Sequence, residues 1–297
     1  MHHQHTLRFT SLALALGLIV VTGRAQSTVP SQANSLSNLG ELLDRLPDFS
    51  RFGLSNFMPH DIFQFYSSPH FGDLVHKDYM RVPLGLRAKI DTDYQAHVEV
   101  EGYFTHGLAG SAGYGFDRLN TGVKYETPKI SPTSPDLSWS TGVDFITPLS
   151  HPPRDLTDGY RHTVPYVAVS KLLMPDFDLV GYSTLGIDLL TATNLPSNFG
   201  RNQLHSDSFT VSGGLTRDWK KFQTLLTASY SSTALFSNES HRVFGLRPAI
   251  VFPLTRWEGR HTRLTATLGG WSIWGPDGHE LGASGSVRVE FNYKAKR

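Results

Sequence analysis

Three short pairs in this chain have the spacing to activate water: Asp91-x-Asp93, Asp176-x-Asp178 and Asp277-x-His279. An Asp-x-Asp pair facing an Asp-x-His pair can hold a water and remove its proton, which is general-base hydrolysis of a peptide or ester. His205-Ser206-Asp207-Ser208 contains every side-chain type of a serine hydrolase in four consecutive positions. Consecutive residues of a strand point to opposite faces, so that cluster does not converge without a special fold. His97 and Glu99 share one face of an extended segment, but no serine stands beside them. The chain has no cysteine, which excludes disulfides and thiolate chemistry. Its histidines are dispersed without ligand spacing, so no metal is expected. There is no P-loop and no dinucleotide-binding glycine fingerprint, so no cofactor is expected either. Gly107, Gly110, Gly113 and Gly115 read as a flexible loop.

Charged residues set between apolar ones form a larger group. Arg81, Arg87 and Lys89 alternate with Val82, Leu84, Leu86 and Ala88. His97, Glu99 and Glu101 follow, then Arg118, Lys124 and Glu126, then Asp144, Asp178, Asp188, Arg217, Arg247, Arg263, Arg288 and Glu290. Both signs are present in near balance, and the net charge is +1. That argues against nucleic acid as a partner. Neighbouring segments of opposite charge pair across a ladder. Such a set either locks a hydrated interior in shape or lines a passage that sorts solutes by charge and size.

The elements that carry these charges are strands. Tyr94, Ala96, Val98 and Val100 form one apolar face, as do Leu119, Thr121, Val123 and Tyr125, and Leu137, Trp139, Thr141, Val143 and Phe145. Pro165 and a Val-Ala-Val run blur the period across 160–172. Phe177, Leu179, Leu185, Ile187 and Leu189 mark the next strand. Phe209, Val211 and Leu215 follow, then Phe222, Leu226, Ala228 and Tyr230. Phe244, Leu246, Ile250 and Phe252 precede Leu264, Ala266 and Leu268. The final run sets Gly285, Val287, Val289, Phe291 and Tyr293 against Ser286, Arg288, Glu290 and Asn292. Runs of about 10–13 residues exceed the roughly 5–6 of an ordinary strand and suit a tilted bilayer crossing.

Roughly eleven runs are legible, and a closed bacterial barrel takes an even number. Connections at 91–93, 174–175, 218–219 and near Trp257 are short, and 127–135 is intermediate. Those at 105–116, 149–159, 191–206, 232–241 and 274–280 are longer. Short turns face the periplasm and long loops the outside. The run at 80–90 therefore needs an outward strand before it. Ile62–Ser67, with Phe63 and Phe65 on one face, supplies it. The expected fold is an all-β, antiparallel up-and-down transmembrane barrel of about twelve strands, ten being the alternative. In that topology both Asp-x-Asp pairs lie at periplasmic turns and Asp277-x-His279 at the outside, so turn chemistry explains them better than catalysis. Tyr94, Trp219, Trp257 and Tyr293 are expected in a periplasmic aromatic girdle, and Tyr103, Tyr160, Tyr230 and Trp271 in an outer one.

The first 25 residues have an Arg8 n-region, an apolar stretch from Leu12 to Val21, and Gly23 and Ala25 before a cleavage point. This is a signal peptide, and His2, His3 and His5 leave with it. Residues 26–61 form a periplasmic leader. Within it Asn38–Leu46 reads as a short amphipathic helix, with Leu39, Leu42, Leu43 and Leu46 on one stripe and Pro47 as its stop. Residues 62–293 are the barrel, and 294–297 a basic tail.

The signal peptide, the barrel-length alternation and the closing pattern Gly285-x-Val287-x-Val289-x-Phe291-x-Tyr293 resemble Gram-negative outer-membrane β-barrel proteins as a broad class. The resemblance implies residence in outer-membrane lipid and recognition of that last strand by the barrel-assembly machinery. Typical members end on the aromatic, whereas Lys294–Arg297 follow it here. The expected function is a narrow, porin-like channel for passive diffusion of small hydrophilic solutes. Its candidate lining is Arg81, Arg87, Lys89, His97, Glu99, Glu101, Arg118, Lys124, Asp144, Asp188, Arg247, Arg263, Arg288 and Glu290. A non-conducting structural or adhesion barrel is the alternative, and a barrel enzyme acting on lipid or peptide the third.

Overall fold

The computed structural model describes residues 61–71, 79–91, 93–105, 113–127, 137–149, 156–197, 199, 202–219, 221–238, 240–255 and 262–294. The signal peptide, the Asn38–Leu46 helix and Trp257 lie outside them. Thirteen β-segments run in chain order. They are β1 (Asp61–Ser67), β2 (His70–Phe71), β3 (Tyr79–Lys89), β4 (Tyr94–Thr105), β5 (Tyr114–Thr127), β6 (Leu137–Pro148) and β7 (Tyr160–Met174). They continue as β8 (Leu179–Ala192), β9 (Ser208–Asp218), β10 (Gln223–Ser232), β11 (Arg242–Thr255), β12 (Thr262–Gly275) and β13 (Gly278–Lys294).

Segments β1 and β2 are one strand. Ser67 stands opposite Leu84 and Val289, and three residues on His70 stands opposite Arg81 and Ser286, so the register is unbroken. Even the interruption is bonded, since Ser68 N donates to Pro83 O at 3.2 Å and Val287 N to Pro69 O at 3.1 Å. Twelve strand positions result, each antiparallel to its neighbours in sequence, and β1–β2 closes the ring between β13 and β3. The strand expected at Ile62–Ser67 is therefore present, beginning one residue earlier at Asp61. Closure removes every free sheet edge, the condition for backbone inside a bilayer. At the other end β13 runs through Lys294, so the first residue of the basic tail belongs to the strand.

Sidedness follows the alternation. On β1, Phe65 is 44% exposed while Gln64 is 7%. Leu84, Leu86, Val98, Val123, Phe145, Leu226, Ile250, Leu268, Val287 and Phe291 all stand exposed on the outer face. An apolar band this continuous is incompatible with water and fits hydrocarbon. The blurred segment at 160–172 is a regular strand whose inner face is itself apolar. Val164, Tyr166, Ala168 and Leu172 are buried there, and Val167 and Leu173 face out.

Four expectations need correction. The connection at 274–280 is a tight hairpin, in which Gly275 pairs with Gly278 around Pro276 and Asp277. Proline second and glycine fourth is the sequence of a tight turn, and Gly278 takes a φ of 107°. Asp178 sits in the β7–β8 turn in the left-handed region, outside any inward row. Arg217 lies on the outer face, stacked 3.6 Å over Trp219 and 5.1 Å from the Phe177 ring. Its strand parity is that of Leu215, and an arginine at the interface keeps its stem on apolar surface with the head near water. Tyr103, Tyr160 and Trp271 share the inward parity of Glu101, His162 and Thr267 and are absent from the outer girdle. Tyr230 faces outward as expected, in tilted contact with Phe209, and Phe104 stacked on Tyr114 and Phe244 tilted against Trp274 add to that girdle.

Candidate functional site: the barrel lumen

The inner face divides into two walls. One runs from β13 through β1 to β6 and is charged. The other, β7 to β12, is mostly hydroxyl-bearing and apolar.

On the charged wall Glu101 accepts from Arg118 Nε at 2.9 Å and Nη2 at 2.5 Å, and Arg81 Nη1 stands 3.3 Å from its other oxygen. Arg118 stands opposite Glu101 in the regular β4–β5 register, and the β-bulge just beyond that pair leaves Asp117 as an extra residue, buried beside it. Tyr66 donates to Glu99 at 2.6 Å. The guanidinium groups of Arg288 and Arg87 lie over its ring, 4.3 Å and 4.8 Å from the centroid, a cation–π arrangement with each. Arg288 Nε lies 2.5 Å from Glu290, and both side chains are 1% exposed. Lys124 pairs with Glu126 at 3.3 Å, and Gln95 donates to the same carboxylate at 3.0 Å. Charge-assisted contacts of this kind hold side chains in fixed positions.

Glycines set the spacing. His97 and Asp144 belong to β4 and β6, with β5 between them, yet they approach to 3.7 Å. They meet above Gly122, where a Cβ would lie 2.1 Å from Asp144 Oδ1 and 2.4 Å from His97 Cε1. Gly85 likewise leaves room for the Tyr66 ring, which crosses it to reach Glu99 on β4.

The other wall carries Tyr182 bonded to Thr227 across β9, Thr184 bonded to Ser212, and a buried cluster of Ala168, Leu172, Val180, Tyr182, Leu225, Ala249 and Val251. Near the long-loop end His162 lies between two carboxylates, Asp158 at 3.0 Å and Asp188 at 2.9 Å.

All fourteen candidate lining residues occupy inward register positions. Glu101, Lys124, Asp144, Arg288 and Glu290 are buried within the wall. Arg81, Arg87, Lys89, His97, Glu99, Arg118, Asp188 and Arg247 are partly exposed to the lumen. Arg263 stands opposite Glu290. Sequence reasoning missed Tyr66, Asp117, Asp158 and His162, and the low charge of the second wall. The signal for the last was available: between Asp144 and Arg247 the inward rows contain few charges.

The residues proposed for hydrolytic chemistry do not converge. Asp91 and Asp93 flank the β3–β4 turn, whereas Asp277 tips the hairpin at the opposite end. Asp207 accepts from Leu190 N at 2.7 Å, and His205 stacks on Phe199. Ser272 and His279 are in contact at 2.7 Å, but on the outer face. The His279 ring stacks on Trp274, and among the described residues no carboxylate orients it.

No family model matches the chain, and no curated protein matches it. Solved structures do. An outer membrane channel from Pseudomonas putida F1 aligns with a TM-score of 0.50 at 10% identity, over 80% of this chain and 97% of that one. The KdgM porin in complex with disordered oligogalacturonate aligns at 0.48 and 9%, over 77% and 99%. The translocator domain of the autotransporter NalP from Neisseria meningitidis aligns at 0.38 and 12%, over 86% and 94%. At such identities the likeness is one of fold. The closed ring, its apolar exterior and its polar interior agree with it: in fold the protein is a twelve-stranded outer-membrane β-barrel of the kind found in Gram-negative bacteria.

Proposed function

We propose that the protein is a narrow channel for passive diffusion of small hydrophilic solutes. The observation that carries this reading is the charged wall, where Arg81, Arg87, His97, Glu99 and Arg118 stand partly exposed on the inside of a closed ring. Twelve strands fall between filled eight-stranded barrels and the open porins of about 16–18. Such a ring leaves a passage only as wide as its side chains permit. Ion pairs such as Arg118–Glu101 and Lys124–Glu126 tie long side chains to partners on the same or the adjacent strand. Both signs of charge face the passage, so a solute meets polar groups along one side and hydroxyls and small apolar groups along the other. The lipid around the barrel and the assembly machinery that reads Gly285, Val287, Val289, Phe291 and Tyr293 complete its proposed partners.

Single-channel recording of the purified barrel in a planar bilayer tests this. Stable conductance steps are expected. A silent bilayer containing verified folded protein would sink the channel. A sealed structural barrel is the second reading, favoured by the burial of Val251, Val180 and Leu225 on an inward face. It predicts the silent outcome.

A further inference from the structure

The connection between β8 and β9 is tied at both roots and at two points beyond them. Thr193 Oγ1 donates to Gly159 O, and Asp207 accepts from Leu190 N at 2.7 Å. Further out, Phe199 packs on the Tyr160 ring at 5.2 Å and on His205 at 4.4 Å. Asn202 then makes a reciprocal pair with the β12–β13 hairpin tip. Its N–H donates to Asp277 at 2.9 Å, and its Oδ1 accepts from Asp277 N–H at 3.1 Å.

These two anchors stand on opposite walls. Tyr160 begins β7, and β7 is six positions from β13 in a ring of twelve. Along the rim the nearer strand of the hairpin, β12, is five spacings away, at least about 24 Å. Phe199 to Asn202 is three residues, which reach about 11 Å at most. Tyr160 also has inward parity, so Phe199 stands inside the rim. The loop and the hairpin therefore meet over the mouth.

The latch is built for its site. Asn202 is 6% exposed and takes a φ of 55°, a conformation that asparagine tolerates better than most residues. Gly275 lies against it, where a Cβ would come within 2.3 Å of Asn202 Oδ1. The strap and hairpin thus form one bonded bridge at the end of the barrel that carries the long loops.

We propose that this strap, latched at Asn202 and Asp277, sets the upper size limit for solutes entering the lumen from outside. The inference rests on the channel reading, and its test separates the two.

The chain has no cysteine, so Asn202→Cys with Asp277→Cys gives a unique thiol pair. In barrel purified from outer membranes, a short bis-maleimide should link the pair within one molecule, and neither single variant should show the shift in gel mobility. Failure to link overturns the strap, whatever the conductance. Swelling of proteoliposomes in sugars and oligosaccharides of rising mass then reads the size limit. Asp277→Ala, and replacement of residues 195–204 by a short Gly-Ser linker, should admit larger solutes and raise conductance about twofold or more. The linked pair should keep the parent limit. An unchanged limit in both latch variants overturns the strap as a filter while leaving the channel standing. Silence in the parent and in the linker variant alike, with folding verified by heat-modifiable mobility, ends the channel reading and this inference with it.

Discussion

At the scale of the residue, the lumen depends on where side chains are missing. Gly122 admits the approach of His97 and Asp144, and a methyl there would also press on Val143 O at 2.9 Å. Backbone cannot yield as a flexible side chain can. Gly122→Val is expected to destabilise the barrel by about 1–3 kcal/mol, the usual range for forcing volume into a packed site. Gly270→Ala is the control, because the nearest atom to its added Cβ is Gly282 O at 3.4 Å. Urea titration of both variants in matched vesicles decides it. Equal midpoints would show that the His97–Asp144 approach has no role in stability. His97 and Glu99 were legible as a pair on one face, because period two is a property of any strand. Tyr66 was not. Its partners Glu99, Arg87 and Arg288 come from three different strands, and only closure of the ring brings β13 beside β1.

Elements were the most readable level. A strand in lipid must show its apolar side chains on alternate positions, and here the period survives nearly everywhere. The sidedness can be tested within β10. Leu226 faces out, and Ser229 shares the inward row of Thr227. Leu226→Arg should cost roughly 2–4 kcal/mol in a bilayer, whereas Ser229→Arg should cost far less. Reversible folding into vesicles measures both, and similar losses would contradict the assigned faces. The reading was weakest where an element obeyed two rules at once. Segment 160–172 has an apolar inner face as well as an apolar outer one, so its alternation vanishes from the sequence while its pairing stays regular. The 274–280 connection reads as a loop in the sequence because Gly275, Pro276, Asp277 and Gly278 stand together at its centre, although Trp274, His279 and Glu280 are strand residues. They belong to the β12–β13 ladder, in which Trp274 pairs with His279 and Ile273 with Glu280, and Pro276-Asp277 alone turns the chain.

At the scale of the whole molecule, one charged wall faces one that carries few charges. Positive and negative groups lie close together on the former, so their fields largely cancel beyond a Debye length of about 8 Å at physiological salt. Ion selectivity should therefore be weak in the parent barrel. Arg87→Gln removes a positive charge next to Glu99 and should shift the cation-to-anion permeability ratio upward by about twofold, with Glu99→Gln shifting it the other way. Reversal potentials across a salt gradient give the ratio directly. No shift in either variant would place both residues outside the conducting path.

The sequence alone determined membrane residence, the strand identities, the even strand count and the facing of nearly every charged side chain. Each of these follows from local rules: period two along a strand, polar turns between strands, and the need to close a sheet in lipid. It did not determine which charges meet, that Tyr103, Tyr160 and Trp271 point inward, or that Asn202 reaches the hairpin tip. Those depend on strand stagger, on a bulge at Glu101–Gly102 and on contacts between residues 75 positions apart. Pairings set by the ring as a whole leave no local period for a sequence to display.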